Sequence, residues 1–185
     1  MGADLENRET PRRILLAGSS GSGKSTLAAA LGSRLGLPVV HLDREHWQPG
    51  WIEPAREEWD AQVERLCASP AWIMDGEYPR TLSVRLAACD TVVFLDLSRW
   101  LCLFRVIWRS LYYRGKARPD LHPGCPEPFP PEWKFLLWIL SYLRKHSRPV
   151  LAALAALSGE KRVVHLRSPS EVRRFLGAVA LGNSK

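Results

Sequence analysis

Residues 18–25 read Gly-Ser-Ser-Gly-Ser-Gly-Lys-Ser, and their chemistry is plainer than that of any other stretch. The spacing GxxxxGK[ST] falls between a short apolar run that ends in glycine and an Ala/Leu-rich run of helical character, the setting in which it reads as a phosphate loop. Gly18, Gly21 and Gly23 let the backbone curl so that the successive N–H groups of Ser19, Ser20 and Ser22 point inward at phosphate oxygens. The helix that follows adds the positive end of its dipole. Lys24 reaches the β- and γ-phosphates, Ser25 offers its hydroxyl to Mg²⁺, and Thr26 completes the loop. The expected cofactors are therefore ATP and Mg²⁺.

A phosphate loop leaves open where the last phosphoryl group goes. Hydrolytic motors usually place an acidic residue beside the strand-end aspartate to activate water, whereas here Asp96 is followed by Leu97. Asp96 is read as structural. Asp75 ends the apolar run WIMD and Asp43 ends VVHLD. Both fall at the carboxyl edge of the strands, where such sheets bind ligands. Asp43 has two open readings, a turn cap or a base for an acceptor hydroxyl. Arg105 and Arg109 are four apart and so share a helical face. From Arg99 to Arg118 there are six basic residues and no acidic one. Phosphoryl transfer rests on positioning and charge neutralisation, and converging arginines supply both. Lys24, Asp75, Arg105 and Arg109 are the catalytic candidates, with Ser25 and Asp75 at the metal. Trp47 and Trp51 are read as packing, and the five histidines receive no role. Arg144, Lys145 and Arg148 stand as lid residues or a solvated helix end.

Short apolar runs at Arg13–Ala17, 39–43, 72–75, 91–96 and 161–166 read as strands. Helical patterns lie between them: from Lys24 to Gly36, from Pro54 to Leu66, and over 99–113, 131–146, 149–157 and 168–180. Strand and helix alternate, which predicts an α/β three-layer sandwich around a five-stranded parallel sheet. Ser168, Pro169 and Glu171 form a helix-start signature. The organisation expected is a polar tail over 1–11 and a single domain over 12–185. An acceptor-binding lobe is expected at about 44–70 and a lid at about 114–148, the latter holding six prolines between 119 and 131.

A chain of 185 residues, 46% hydrophobic and 24% charged, can bury one sizeable core. No apolar run approaches a membrane span and no secretory signal opens the chain, so a cytoplasmic protein with no membrane partner is expected. Four cysteines without CxxC or Cys/His spacing argue against zinc. Up to Ser98 there are 10 Lys and Arg against 14 Asp and Glu; from Arg99 on there are 16 against 5. A basic half calls for an acidic partner, which nucleotide phosphates or a nucleic acid would satisfy. The nucleic acid is the less favoured partner, because no nucleic-acid module is seen. Oligomeric state is left open.

The segment Asp75-Gly76-Glu77-Tyr78-Pro79-Arg80-Thr81 resembles the Asp-Gly-Phe-Pro-Arg-Thr of nucleoside monophosphate kinases, one residue longer and with Glu-Tyr in place of Phe. Most of the chain follows that order of elements. It is most similar to a bacterial adenylate-kinase-like group labelled DNA topology modulation (FlaR-type) proteins, through HLD at 41–43, DGEY at 75–78, RPDLHPGCP at 118–126 and KRVVHLRS at 161–168. The resemblance implies a P-loop kinase that passes the γ-phosphoryl group of ATP to a small acceptor, a nucleoside monophosphate first of all. It places Asp75 near Mg²⁺, Arg80 on the acceptor's phosphate and Arg105 and Arg109 on the transferring group. Arg114, Lys116 and Arg118 belong to the closing lid. Two alternatives stand beside it: a shikimate- or gluconate-type small-molecule kinase using Asp43, and a nucleic-acid-associated P-loop ATPase.

Overall fold

A computed structural model describes residues 11–145 and 161–182. Five parallel strands, β1 (Arg13–Gly18), β2 (Val39–His41), β3 (Trp72–Asp75), β4 (Thr91–Leu95) and β5 (Arg162–Leu166), form one sheet in the order β2-β3-β1-β4-β5. Helices α1 (Lys24–Leu35), α2 (Leu42–His46), α3 (Arg56–Ala68), α4 (Leu82–Ala88), α5 (Arg99–Tyr112), α6 (Trp133–Lys145) and α7 (Pro169–Gly182), with one 3₁₀ turn at Pro79–Thr81, complete the described elements. The sandwich expected from the alternating pattern is the fold observed. The expected helix at 149–157, Arg148 and most of the polar tail lie outside the described residues.

Strand β1 shows why both faces are covered. Leu15 and Ala17 pack with Trp59, Val63 and Cys67 of α3 and Leu86 of α4. The alternate residues Ile14 and Leu16 pack with Leu27, Ala28 and Leu31 of α1 and against Phe175 of α7. The period of two along the strand thus feeds two apolar layers, and a run apolar throughout is the sequence that satisfies both. Trp59 and Val63 lie on one face of α3 as expected, with Cys67 rather than Leu66 completing the buried stripe. Helix α3 therefore packs onto the main core.

A third apolar cluster joins Leu97, Cys102 and Val106 to Ile139, seating α6 against α5. Helix α7 starts as its sequence predicts. Ser168 Oγ accepts from the backbone N–H of Glu171 at 3.2 Å, and Glu171 reaches back to the N–H of Arg167 at 2.7 Å. Strand β2 is shorter than expected, since Leu42 already begins α2 and carries Asp43 onto it. The registers His41–Asp75 and Leu16–Asp75 bring the ends of β1, β2 and β3 together at the carboxyl edge.

Candidate active site

The turn from β1 into α1 sits at that edge. Gly21 has φ 79°, and a Cβ there would run into the carbonyl of Cys102, so only glycine lets the loop lie this close to α5. Lys24 is buried, and its Nζ donates to the carbonyls of Gly18 at 2.5 Å and Ser19 at 3.0 Å. Arg105 of α5 extends over the same loop, its Nη1 3.3 Å from the carbonyl of Ser22. The hydroxyls of Ser19 and Ser22 are buried with no hydrogen-bond partner among the described residues. Orphaned donors beside a lysine and an arginine are what a phosphate-binding cradle needs.

Ser25 Oγ donates to Asp75 Oδ2 at 2.7 Å, while Asp75 Oδ1 meets His41 Nδ1 at 2.5 Å. That contact, more than the neighbouring Asp120 and Asp43 charges, holds the His41 imidazole above its ordinary proton affinity despite its burial. One hydroxyl and one buried carboxylate fit Mg²⁺, which keeps several waters and is completed by phosphate oxygens. Among the described residues no group of three or more His, Cys, Asp and Glu could form a protein-only metal cage.

A cavity of about 1120 Å³ opens from this loop. Ser20, Gly21, Gly23, Lys24, Ser25 and Thr26 line one end, with Asp75, Arg105 and Arg109 beside them. Asp43, Trp47, Trp51, Glu53, Tyr78, Arg118 and Asp120 line the same cavity. Tyr78 donates to Asp43 Oδ1 at 2.9 Å. Desolvation first and the Asp43 charge second push the Tyr78 phenol well above its ordinary pKa, so it stays a donor. Arg85 is buried beneath, donating to the carbonyls of Gly76 at 3.0 Å and Tyr78 at 2.6 Å, and so fixes the loop that carries Tyr78.

Arg118 pairs through Nε with Glu127 Oε2 at 2.9 Å and through Nη1 with Asp120 Oδ2 at 3.2 Å. Arg109 Nε lies 3.4 Å from Glu127 Oε1, and Ser110 Oγ donates to that oxygen at 2.9 Å. Burial, then the neighbouring Arg118 charge, lower the proton affinity of Arg109. The proline-rich segment is docked against the turn at 48–51. Gly50 donates to the carbonyl of Gly124 at 2.9 Å, and Trp51 Nε1 to that of Pro126 at 3.0 Å.

Two arginines expected at the acceptor are placed elsewhere. Arg80 forms a bidentate pair with Asp60, Nη2 to Oδ2 at 2.6 Å and Nε to Oδ1 at 3.0 Å, and does not line the cavity. Arg114 lies 5.5 Å over the ring of Phe129, also off the cavity, and Lys116 is exposed. Each has a nearer partner than the cavity offers: a carboxylate for Arg80, an aromatic face for Arg114. Asp96 pairs with His165 at 3.0 Å, in keeping with its structural reading. Conversely, Trp47 and Trp51 face the cavity rather than only packing, and His41, Glu53, Tyr78 and Glu127 join it without having been singled out. For His41 and Tyr78 the signal would have been their place at or just beyond the ends of β2 and β3 at the carboxyl edge, where any polar side chain is a candidate.

The family model described as Zeta toxin matches residues 2–61, under half of the chain, covering the phosphate loop and β2. No curated protein matches the sequence. Among solved structures, a gluconokinase from Sinorhizobium meliloti 1021 superposes with a TM-score of 0.52 at 19% identity, covering 95% of this chain and 97% of its own. A "putative kinase" from Chloroflexus aurantiacus gives 0.52 at 15% identity, covering 94% and 98%. No helix among the described residues is long and apolar enough to cross a membrane. The chain has the P-loop α/β fold that those two solved proteins share.

Proposed function

We propose that the chain is an Mg²⁺- and ATP-dependent phosphotransferase that moves the γ-phosphoryl group to the hydroxyl of a small acceptor. The observation that carries this reading is one cavity lined both by Lys24 and Arg105 at the phosphate loop and by Asp43 and Tyr78. A cavity of about 1120 Å³ exceeds the usual single-ligand pocket, and a donor and an acceptor together would fill it. The FlaR-type resemblance and the kinase neighbours support the same reaction class.

Lys24 and the loop N–H groups hold the β- and γ-phosphates, and Arg105 meets the charge that builds up on the moving group. Ser25 and Asp75 would hold Mg²⁺, which would supply charge neutralisation to the phosphates. Asp43, oriented by Tyr78, takes the proton of the acceptor hydroxyl as its oxygen bonds to the γ-phosphorus. The bond from that phosphorus to the β–γ bridging oxygen breaks, and its electron pair leaves on ADP.

A nucleoside monophosphate acceptor is the second reading, favoured by Arg109 and Arg118 in the cavity; its phosphate would have to displace Glu127. A nucleic-acid track is less supported, because Arg105, Arg109 and Arg118 turn inward instead of forming an external basic stripe.

Arg105→Ala is expected to lower kcat by roughly a hundredfold to a thousandfold, with ATP affinity changed far less. Stopped-assay ADP release alongside nucleotide titration checks this; equal turnover in the variant would remove Arg105 from the reaction. Arg80→Ala should keep kcat/KM within about twofold, since exposed ion pairs contribute little. A loss of tenfold or more would return Arg80 to the acceptor.

A further inference from the structure

Two short segments that carry the family resemblance, His41-Leu42-Asp43 and Asp75-Gly76-Glu77-Tyr78, run side by side in the fold. His41 and Asp75 are register partners at the ends of β2 and β3. Their side chains meet, Nδ1 of the imidazole 2.5 Å from Oδ1 of the carboxylate. One step on, Gly76 has φ 137°, and a Cβ there would lie 2.6 Å from the Cβ of the buried Leu42. Only glycine lets the two chains run this close. Beyond them, the Tyr78 hydroxyl donates to Asp43 Oδ1. The His41–Asp75 contact is thus flanked by strand pairing on one side and by close backbone packing on the other.

The two oxygens of Asp75 are held by different elements. Oδ2 accepts the Ser25 hydroxyl of α1 at 2.7 Å, while Oδ1 faces His41 of β2. A carboxylate accepts and does not donate, so the imidazole carries a proton on Nδ1 whether it is neutral or charged. The last torsion of an aspartate is soft, and two opposed hydrogen bonds fix it where one would not. Asp75 is also 4% exposed, so losing the His41 donor leaves a buried carboxylate oxygen unmet.

We infer that His41 is a positioning residue for the Mg²⁺ end of the site: its Nδ1–H fixes the Asp75 carboxylate in the orientation that supports the Ser25 hydroxyl and the metal. This rests on the phosphotransferase reading and adds to it a residue that acts through Asp75. It also gives the 41–43 segment two jobs, His41 supporting the metal and Asp43 facing the acceptor, with Leu42 anchoring both in the core.

The test compares three variants. His41→Leu removes the donor, His41→Asn places a side-chain N–H where Nδ1 stands, and His41→Gln carries its donor one bond farther out. Binding of a fluorescent mant-ATP is titrated with Mg²⁺ and repeated in EDTA, and melting curves are taken without metal. His41→Leu should raise the Mg²⁺ concentration at half-maximal effect by roughly 10- to 100-fold, with nucleotide affinity in EDTA unchanged. His41→Asn should restore most of the parent's Mg²⁺ dependence, and His41→Gln should resemble His41→Leu. Lowered melting temperatures with the parent's Mg²⁺ dependence in every variant overturn the inference and leave His41 a packing residue. A His41→Asn protein no better than His41→Leu overturns it too. Where His41→Leu does not fold, the other two decide: Asn near the parent with Gln weakened supports the inference, and Asn and Gln alike overturn it. Failure of the wider kinase reading looks different, since mant-ATP would then fail to bind the parent in a Lys24-dependent way, with or without Mg²⁺.

Discussion

Lys24→Ala will cut phosphoryl transfer by on the order of a thousandfold or more, the effect of removing a charge aimed at the reacting phosphate oxygens. Lys24 is held ready for this. It is buried under the phosphate loop, and its Nζ bonds the carbonyls of Gly18 and Ser19. Truncation also removes those two bonds, which are charge-assisted and cost roughly 1–3 kcal/mol of stability to lose. The variant should therefore still fold, because the sheet beneath is packed by Leu15, Leu16 and their neighbours independently of Lys24. Circular dichroism and a melting curve separate loss of structure from loss of chemistry. A folded variant with native turnover would contradict the role given to this lysine.

The second large effect is on stability. Glu127 is 5% exposed and faces Arg109, Arg118 and Ser110 together. Glu127→Ala would leave the buried Arg118 and the partly buried Arg109 with their shared carboxylate gone and the Ser110 hydroxyl without its acceptor. Removing one partner from a buried ion cluster typically costs about 3–5 kcal/mol, because the remaining charge stays desolvated. Glu127→Gln keeps an oxygen for Ser110 and should cost clearly less. Urea unfolding of the two variants checks the order; a Glu127→Ala protein as stable as the parent would mean that the cluster opens to water at no cost.

These two residues also show what the sequence made legible. Lys24 belongs to a local pattern whose glycines, lysine and serine determine one another's positions within eight residues, so the whole donor end could be read directly. The sheet was equally readable, because β1, β3 and β4 are apolar on both faces and no helix period fits them. Arg105 and Arg109 followed from spacing of four on a single helix. Glu127 had no such signal: its partners lie 9 to 18 residues away across an irregular, proline-rich segment, and only the docked loop brings them together.

The same cause explains Arg80. A motif resemblance placed it on an acceptor, while Asp60, on a helix 20 residues earlier, offers a bidentate partner that no local pattern reveals. Trp47 and Trp51 were read as packing because tryptophan usually is. Their position depends on Gly50 and Trp51 bonding to Gly124 and Pro126, contacts between segments more than 70 residues apart. Local chemistry was legible; pairing across the cavity was not.

The fate of the terminal phosphate tests the account most directly. With γ-³²P-labelled ATP, Mg²⁺ and a panel of small hydroxyl and nucleoside monophosphate acceptors, the label should appear on an acceptor in step with ADP. Inorganic phosphate should stay a minor product, and both signals should vanish in Lys24→Ala. Label released only as inorganic phosphate, at a rate that no acceptor changes, would contradict transfer and leave a hydrolase in its place.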